Sequence, residues 1–197
     1  YDIKPRSSEQ FGENTKSKLD KRLDYSSLGG FWYSEIGPLN QVVHIWPYDD
    51  GNHRSQVRAD AVSDGIWPPA NSDLILNMQS DIMVHATFMK PLEPKSIGPV
   101  YEMRIYTYKP GDIDAVLDAW AGAIEEREKY SPLVGCWFSD VGALNRLVHM
   151  WAYKSFEERT RVRTETRATG VWPPQSGVAP LAQENKILLP YDFSPLQ

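Results

Sequence analysis

Two histidines occupy the same local string, Val43-His44-Ile45-Trp46 and Val148-His149-Met150-Trp151. A histidine changes charge near neutral pH, so His44 and His149 are candidate general acids or bases. The same residue type also locks strands by hydrogen bonding inside a core, and neither string supplies a paired acid or nucleophile. Each string is followed by two arginines four residues apart, Arg54/Arg58 and Arg159/Arg163. On a helix that spacing sets two guanidinium groups side by side, where like charges repel by roughly a few tenths of a kcal/mol. Such pairs call for an anion. It can be a ligand carboxylate or phosphate, or a protein carboxylate such as Glu157, Glu158 or Glu165; the alternative is a simply solvated face. Arg104 and Tyr106 are two apart, which places a cation and a hydroxyl on one face of a strand, within reach of a ligand or of His149. Trp32, Trp46, Trp137 and Trp151 are candidates for an aromatic pocket lining, although tryptophans more often fill cores. Cys136 has no base in its motif and reads as buried and inert.

These residues recur because the chain is duplicated. Tyr25 meets Tyr130 at an offset of 105 residues, and the register then holds without a gap. Trp32 meets Trp137, Leu39-Asn40 meets Leu144-Asn145, His44 meets His149, and Trp67-Pro68-Pro69 meets Trp172-Pro173-Pro174. The repeats are assigned to residues 1–95 and 100–197. The opening strand of the second repeat would have its counterpart before Tyr1, so the first repeat reads as lacking part of that strand.

The second repeat is the clearer copy. Tyr101 to Tyr108 alternates as a strand, and Ile113, Val116, Leu117, Trp120 and Ile124 follow helical spacing. Leu133–Ser139 and Arg146–Tyr153 form a hairpin about Gly142-Ala143-Leu144-Asn145, where asparagine tolerates left-handed backbone. Ser155 and Glu158 have capping-box spacing for a second helix to about Ala168. Prolines 173 and 174 end it, and Lys186–Leu189 is a short fourth strand. The order β-α-β-β-α-β is ferredoxin-like, and the class is α+β. Alternation puts Leu147, His149 and Trp151 on one face of the third strand and Val148 and Met150 on the other. The apolar second set suits the helices, which leaves histidine on the face that a second unit covers to close an α+β barrel. Trp67 and Trp172 are expected to plug the barrel end or the unit interface. The first helix of the first repeat reads as poor, with Gly12 in a polar middle.

Composition excludes several classes. The net charge of −5 argues against a general nucleic-acid surface. One cysteine permits neither an intrachain disulfide nor a cysteine zinc cluster, and the shared string supplies only one histidine in each repeat, with no HxH or HxxE set beside it, too few ligands for a metal site. No apolar run approaches the ~20 residues of a membrane span, and no signal peptide opens the chain. A single cysteine fits a reducing compartment, and a cytoplasmic location is expected; the chain begins without methionine, so a mitochondrial location is the alternative if a presequence has been removed. Phosphate-binding loops, dinucleotide glycine runs and nucleophile elbows are absent.

The string Val148-His149-Met150-Trp151-Ala152-Tyr153, with Gly142-x-Leu144-Asn145 before it and Arg159 and Arg163 after it, resembles the hallmark of the NIPSNAP family. Tyr101-Glu102-x-Arg104-x-Tyr106 and the ending Phe193-Ser194-Pro195-Leu196 are similar to that family as well. The resemblance covers the whole chain and implies a dimeric α+β barrel fold, with no settled reaction. It also brings expectations of a homo-oligomer and, on the family's record, of partner binding. Related barrels include cofactor-free enzymes and haem-handling proteins, which is fold analogy. The expectation is a barrel that binds a small aromatic or anionic molecule without a cofactor, haem being the remote exception, and that is open to a cofactor-free reaction. A non-catalytic interaction protein acting through its surface and oligomerisation is the alternative.

Overall fold

A computed structural model describes all 197 residues. It divides into two compact units: residues 1–79, 93–96 and 189–197 form unit 1, and residues 80–92 and 97–188 form unit 2. The units are therefore not the two repeats taken whole. The tail of the second repeat packs in unit 1, where Phe193 lies against the core, and the corresponding Phe88 packs in unit 2. Sequence repeats cut at 95 and 100 locate the duplication but cannot show this exchange of tails.

Unit 1 contains β1 (Asp2–Ile3), α1 (Ser8–Leu23), β2 (Gly30–Ile36), β3 (Val42–Ile45), α2 (Gly51–Ser63) and β4 (Ile75–Asn77). β2 and β3 form an antiparallel hairpin, β1 pairs with β4, and Asp2 bridges Gln41 beside β3. The polar look of α1 is deceptive. It runs 16 residues and buries Phe11, Gly12, Thr15, Leu19 and Arg22. Gly12 is there because the Tyr191 ring packs against that turn: a Cβ would lie 2.6 Å from it.

Unit 2 contains β5 (Ile82–His85), β6 (Val100–Thr107), α3 (Ile113–Ala121), α4 (Ile124–Glu128), β7 (Leu133–Val141), β8 (Arg146–Tyr153), α5 (Phe156–Ala168) and residues 182–188 of β9 (Ala182–Pro190). Its antiparallel sheet runs β9-β6-β8-β7-β5. With β5 set aside, that is the ferredoxin-like order for a β-α-β-β-α-β chain, so the α+β class and the tandem arrangement stand. The single helix expected over 113–124 is broken after Ala121, where Gly122 closes a turn. β9 begins at Ala182 rather than Lys186, because its first residues are polar and exposed and carry no strand pattern. Asn40 and Asn145 take left-handed backbone at φ 56° and 57°, as the hairpin turns require. Ser155 caps α5 by accepting from the Glu158 N–H at 3.1 Å.

Gly30 and Gly135 are repeat partners, each two residues before a tryptophan that folds back over it. A Cβ on Gly135 would lie 2.2 Å from the Trp137 ring. Overpacking a buried site of this kind costs about 1–3 kcal/mol. Gly135→Ala is expected to lose that much in urea unfolding with an unchanged slope.

Candidate functional site

The sheet face that packs against the helices of unit 2 carries His149 and Arg104, and α5 brings Arg159 and Arg163 to it. His149 lies under α3, with Trp120 edge-on at 4.7 Å and Tyr106 edge-on at 4.9 Å between ring centroids. Trp151, on the same face, joins the core with Val162 of α5. The alternation holds, but the face is the other one: His149 and Trp151 point toward the helices, not toward the opposite face. Trp120 of α3 and Trp172 pack against them there. Trp172 packs edge-on against Trp120 at 4.5 Å and Trp151 at 5.5 Å, so it is helix-side core rather than a plug.

The histidine ring is engaged. Trp151 Nε1–H donates to His149 Nδ1 at 2.8 Å. An Nδ1 that accepts leaves the neutral ring with its proton on Nε2, and that buried atom has no hydrogen-bond partner. Burial, followed by the charges of Arg104, Arg127 and Arg163, holds His149 well below the usual histidine range. It is a neutral ring with its basic nitrogen occupied, which is poor equipment for a general base at neutral pH. Unit 1 repeats the motif. Trp46 Nε1–H donates to His44 Nδ1 at 2.8 Å, Tyr1 lies edge-on at 5.0 Å, and Phe31 stacks at 5.1 Å. His44 is brought down to about 3 by burial, then by the terminal ammonium and Arg58.

Sequence reasoning missed one partner of this motif. Arg127 of α4 is buried, lies 4.0 Å over the Trp151 ring and donates to Ser131 Oγ at 3.0 Å. Arg22 lies 4.2 Å over Trp46 and donates to Ser26 Oγ at 2.9 Å. Arg22 and Arg127 stand 105 apart, so the repeat register already paired them.

Glu102 organises the other half of the site. It is fully buried on β6, and its Oε1 accepts from Arg104 Nη1 at 2.9 Å, Arg159 Nη2 at 2.7 Å, Arg163 Nη1 at 3.5 Å and Asn185 Nδ2 at 3.4 Å. Burial pushes its carboxyl up. The hydrogen bond from Arg159 and the charges of Arg104, Arg159 and Arg163 outweigh that and hold it below its ordinary value. The helical arginines therefore face a strand carboxylate, while Glu158 and Glu165 pair with Arg161. Arg104 also donates from Nε to the Tyr106 hydroxyl at 2.6 Å, and that hydroxyl does not bond His149. Arg163 is lowered by burial, against the pull of Glu102, and further by Arg104, Arg159 and Arg167. The three arginine side chains on Glu102 are 17% to 27% exposed, and Arg159 Nε is buried without a partner.

The remaining candidates lie outside this cluster. Trp32 is fully buried, and Trp137 lies on the sheet face opposite His149. Arg54 and Arg58 lie on α2 of unit 1. Cys136 is fully buried, with its thiol pushed up to about 12 by burial. No three His, Cys, Asp or Glu side chains converge as metal ligands, and no helix is long and apolar enough to cross a membrane.

Comparison with known proteins matches the NIPSNAP family model to residues 1–90 and 101–195. Protein NipSnap homolog 3A of Pongo abelii is 33% identical across all of this chain and 83% of its own length. The Homo sapiens homolog 3A is 32% identical over the same shares. Among solved structures, a NIPSNAP family protein from Agrobacterium tumefaciens is 31% identical over 50% of this chain and 98% of its own, at a TM-score of 0.46. A Lactobacillus acidophilus protein aligns over 95% of this chain and 89% of its own, with a TM-score of 0.68 and 9% identity, which is a likeness of fold.

Proposed function

Because the chain belongs to the NIPSNAP family across both repeats, which brings no settled reaction with it, we propose a function from the charge of its site: the protein binds a small anionic molecule at the arginine cluster of unit 2. The observation that carries this reading is that three arginines converge on one buried carboxylate. Glu102 offsets one positive charge, and two remain on partly exposed guanidinium groups. Like charges held together at a half-buried place cost stability unless a ligand offsets them. Arginine forks suit carboxylate and phosphate oxygens, because their planar N–H groups donate in pairs. His149 belongs to the scaffold beneath, where it accepts from Trp151, and no proton transfer is assigned to it.

Isothermal titration with sodium sulfate at low ionic strength tests this. Saturation at about one ion per chain is expected, with a loss of at least tenfold in affinity for the double variant Arg159→Gln/Arg163→Gln. Both side chains reach solvent, so circular dichroism should show the variant folded. Absence of saturable heat in the wild-type chain ends the reading.

A second reading, an interaction protein acting through its surface, has one observation behind it. The two hairpin tips expose the repeat partners Ile36 and Val141, and Leu39 and Leu144. A chain that gives no heat with sulfate would leave this reading in possession.

A further inference from the structure

The arginine cluster also indicates the charge of its ligand. We propose that the anion is a dianionic phosphate monoester rather than a monocarboxylate. This rests on the anion-binding reading above and deepens it.

The argument is a balance of charge and of donors. Arg104, Arg159 and Arg163 share only Glu102, so two positive charges are left over. A monocarboxylate would leave one guanidinium uncompensated at a place where Arg163 already feels Arg104, Arg159 and Arg167. A dianion closes the balance. The donors agree. Arg159 spends Nη2 on Glu102 and retains Nη1 and a buried, unpartnered Nε; Arg163 makes only 3.5 Å contacts through Nη1. Four residues apart on α5, these two forks flank a point that a tetrahedral oxyanion can bridge with oxygens to spare, whereas a planar carboxylate fills one fork.

The groups around the cluster whose titration is shifted are moved away from the range between pH 5 and 7.5. On β6 these are Glu102, held low by its arginines, and Arg104, raised against burial by Tyr106 and Glu102. On β8 they are His149, held neutral, and Tyr153, raised by burial. Arg127 of α4 and Arg159, Arg163 and Arg167 of α5 are cations throughout, and β9 contributes the uncharged Asn185. A pH dependence of binding in that range therefore belongs to the ligand. A phosphate monoester takes its second charge with a pKa of about 6, whereas sulfate is a dianion at both ends of the range.

The test is calorimetric titration of the full chain with methyl phosphate, sodium sulfate and sodium acetate at pH 5.0 and 7.5. Methyl phosphate should bind about tenfold tighter at pH 7.5, following its dianion fraction, while sulfate stays constant and acetate is at least tenfold weaker. Acetate binding as well as methyl phosphate, with sulfate still bound, overturns the dianion assignment and leaves the anion site standing. Loss of sulfate and phosphate binding together overturns the anion site itself. A parallel titration with phosphatidic acid vesicles identifies the source, and either result upholds the dianion. Capture at matching affinity assigns a lipid headgroup; no capture, with methyl phosphate still bound, assigns a soluble monoester.

Discussion

Replacing Glu102 by glutamine should cost about 3–5 kcal/mol of folding stability, the range found when one partner of a buried ion pair is removed. For a chain of this size that lowers the melting temperature by about 10 °C or more. The reasoning turns on what stays behind. Glutamine keeps the shape of the side chain and can still accept from one arginine. It cannot offset charge, so Arg104, Arg159 and Arg163 are left together on a fully buried neutral group. Removing an arginine instead is milder, because each is partly exposed and two others still hold the carboxylate. The ranking is therefore itself a prediction, with Glu102→Gln well below Arg163→Gln in thermal denaturation. Sulfate should return part of the loss in Glu102→Gln, since a ligand that binds only the folded state adds stability as its concentration passes its dissociation constant. A melting temperature within a degree or two of wild type would mean that solvent, not Glu102, carries the arginine charge.

The duplication was legible because an offset of 105 residues needs nothing but identity. The strands and helices of the second repeat were legible because their periods are strong, as in Arg146–Tyr153. The direction in which His149 points was not. Alternation fixes which residues share a face, but the choice of face rested on the apolar character of Val148 and Met150. The structure decides instead by size: Trp120, Trp151 and Trp172 build an aromatic layer beneath the helices that includes a neutral histidine. Likewise the arginines at 159 and 163 announced an anion, and Glu157, Glu158 and Glu165 were the natural guesses because they are near in sequence. Glu102 was hidden by a separation of 57 residues and by a strand pairing that only the fold creates. The break after Ala121 and the exchange of tails between the units are of the same kind. Each depends on packing that no local pattern records.

His149 supplies the second large effect, and its sign is opposite to that of a histidine holding a carboxylate. Its folded-state pKa lies well below 6.5, while in the unfolded chain it returns to about 6.5. Below pH 6.5 the unfolded state therefore binds a proton that the folded state refuses. Stability falls by about 1.4 kcal/mol for each pH unit until the folded-state pKa is reached. Between pH 6.5 and 5.0 that amounts to roughly 2 kcal/mol for this fully enclosed ring. His44, held at about 3, adds a loss of the same sign, reduced because it is only half-buried. Glu102 is depressed too, but a carboxylate lowered by its partners loses its contribution only on passing below its unfolded value near 4.5. The window from 6.5 to 5.0 thus isolates the histidines. The variant that tests this is His149→Asn, whose side-chain oxygen can still accept from Trp151 Nε1 but carries no titrating nitrogen. It will be less stable at every pH, because a ring has been lost from a packed layer. That offset is constant and does not bear on the proton. What decides is the difference between wild type and variant in urea unfolding at pH 7.5, 6.0 and 5.0. It should shrink by roughly 2 kcal/mol as the pH falls, since only the wild type is losing the histidine term. A difference that stays level across the three values would mean that His149 takes up its proton inside the fold. The ring would then be an available acid, and the case for treating it as scaffold beneath the arginine cluster would fail.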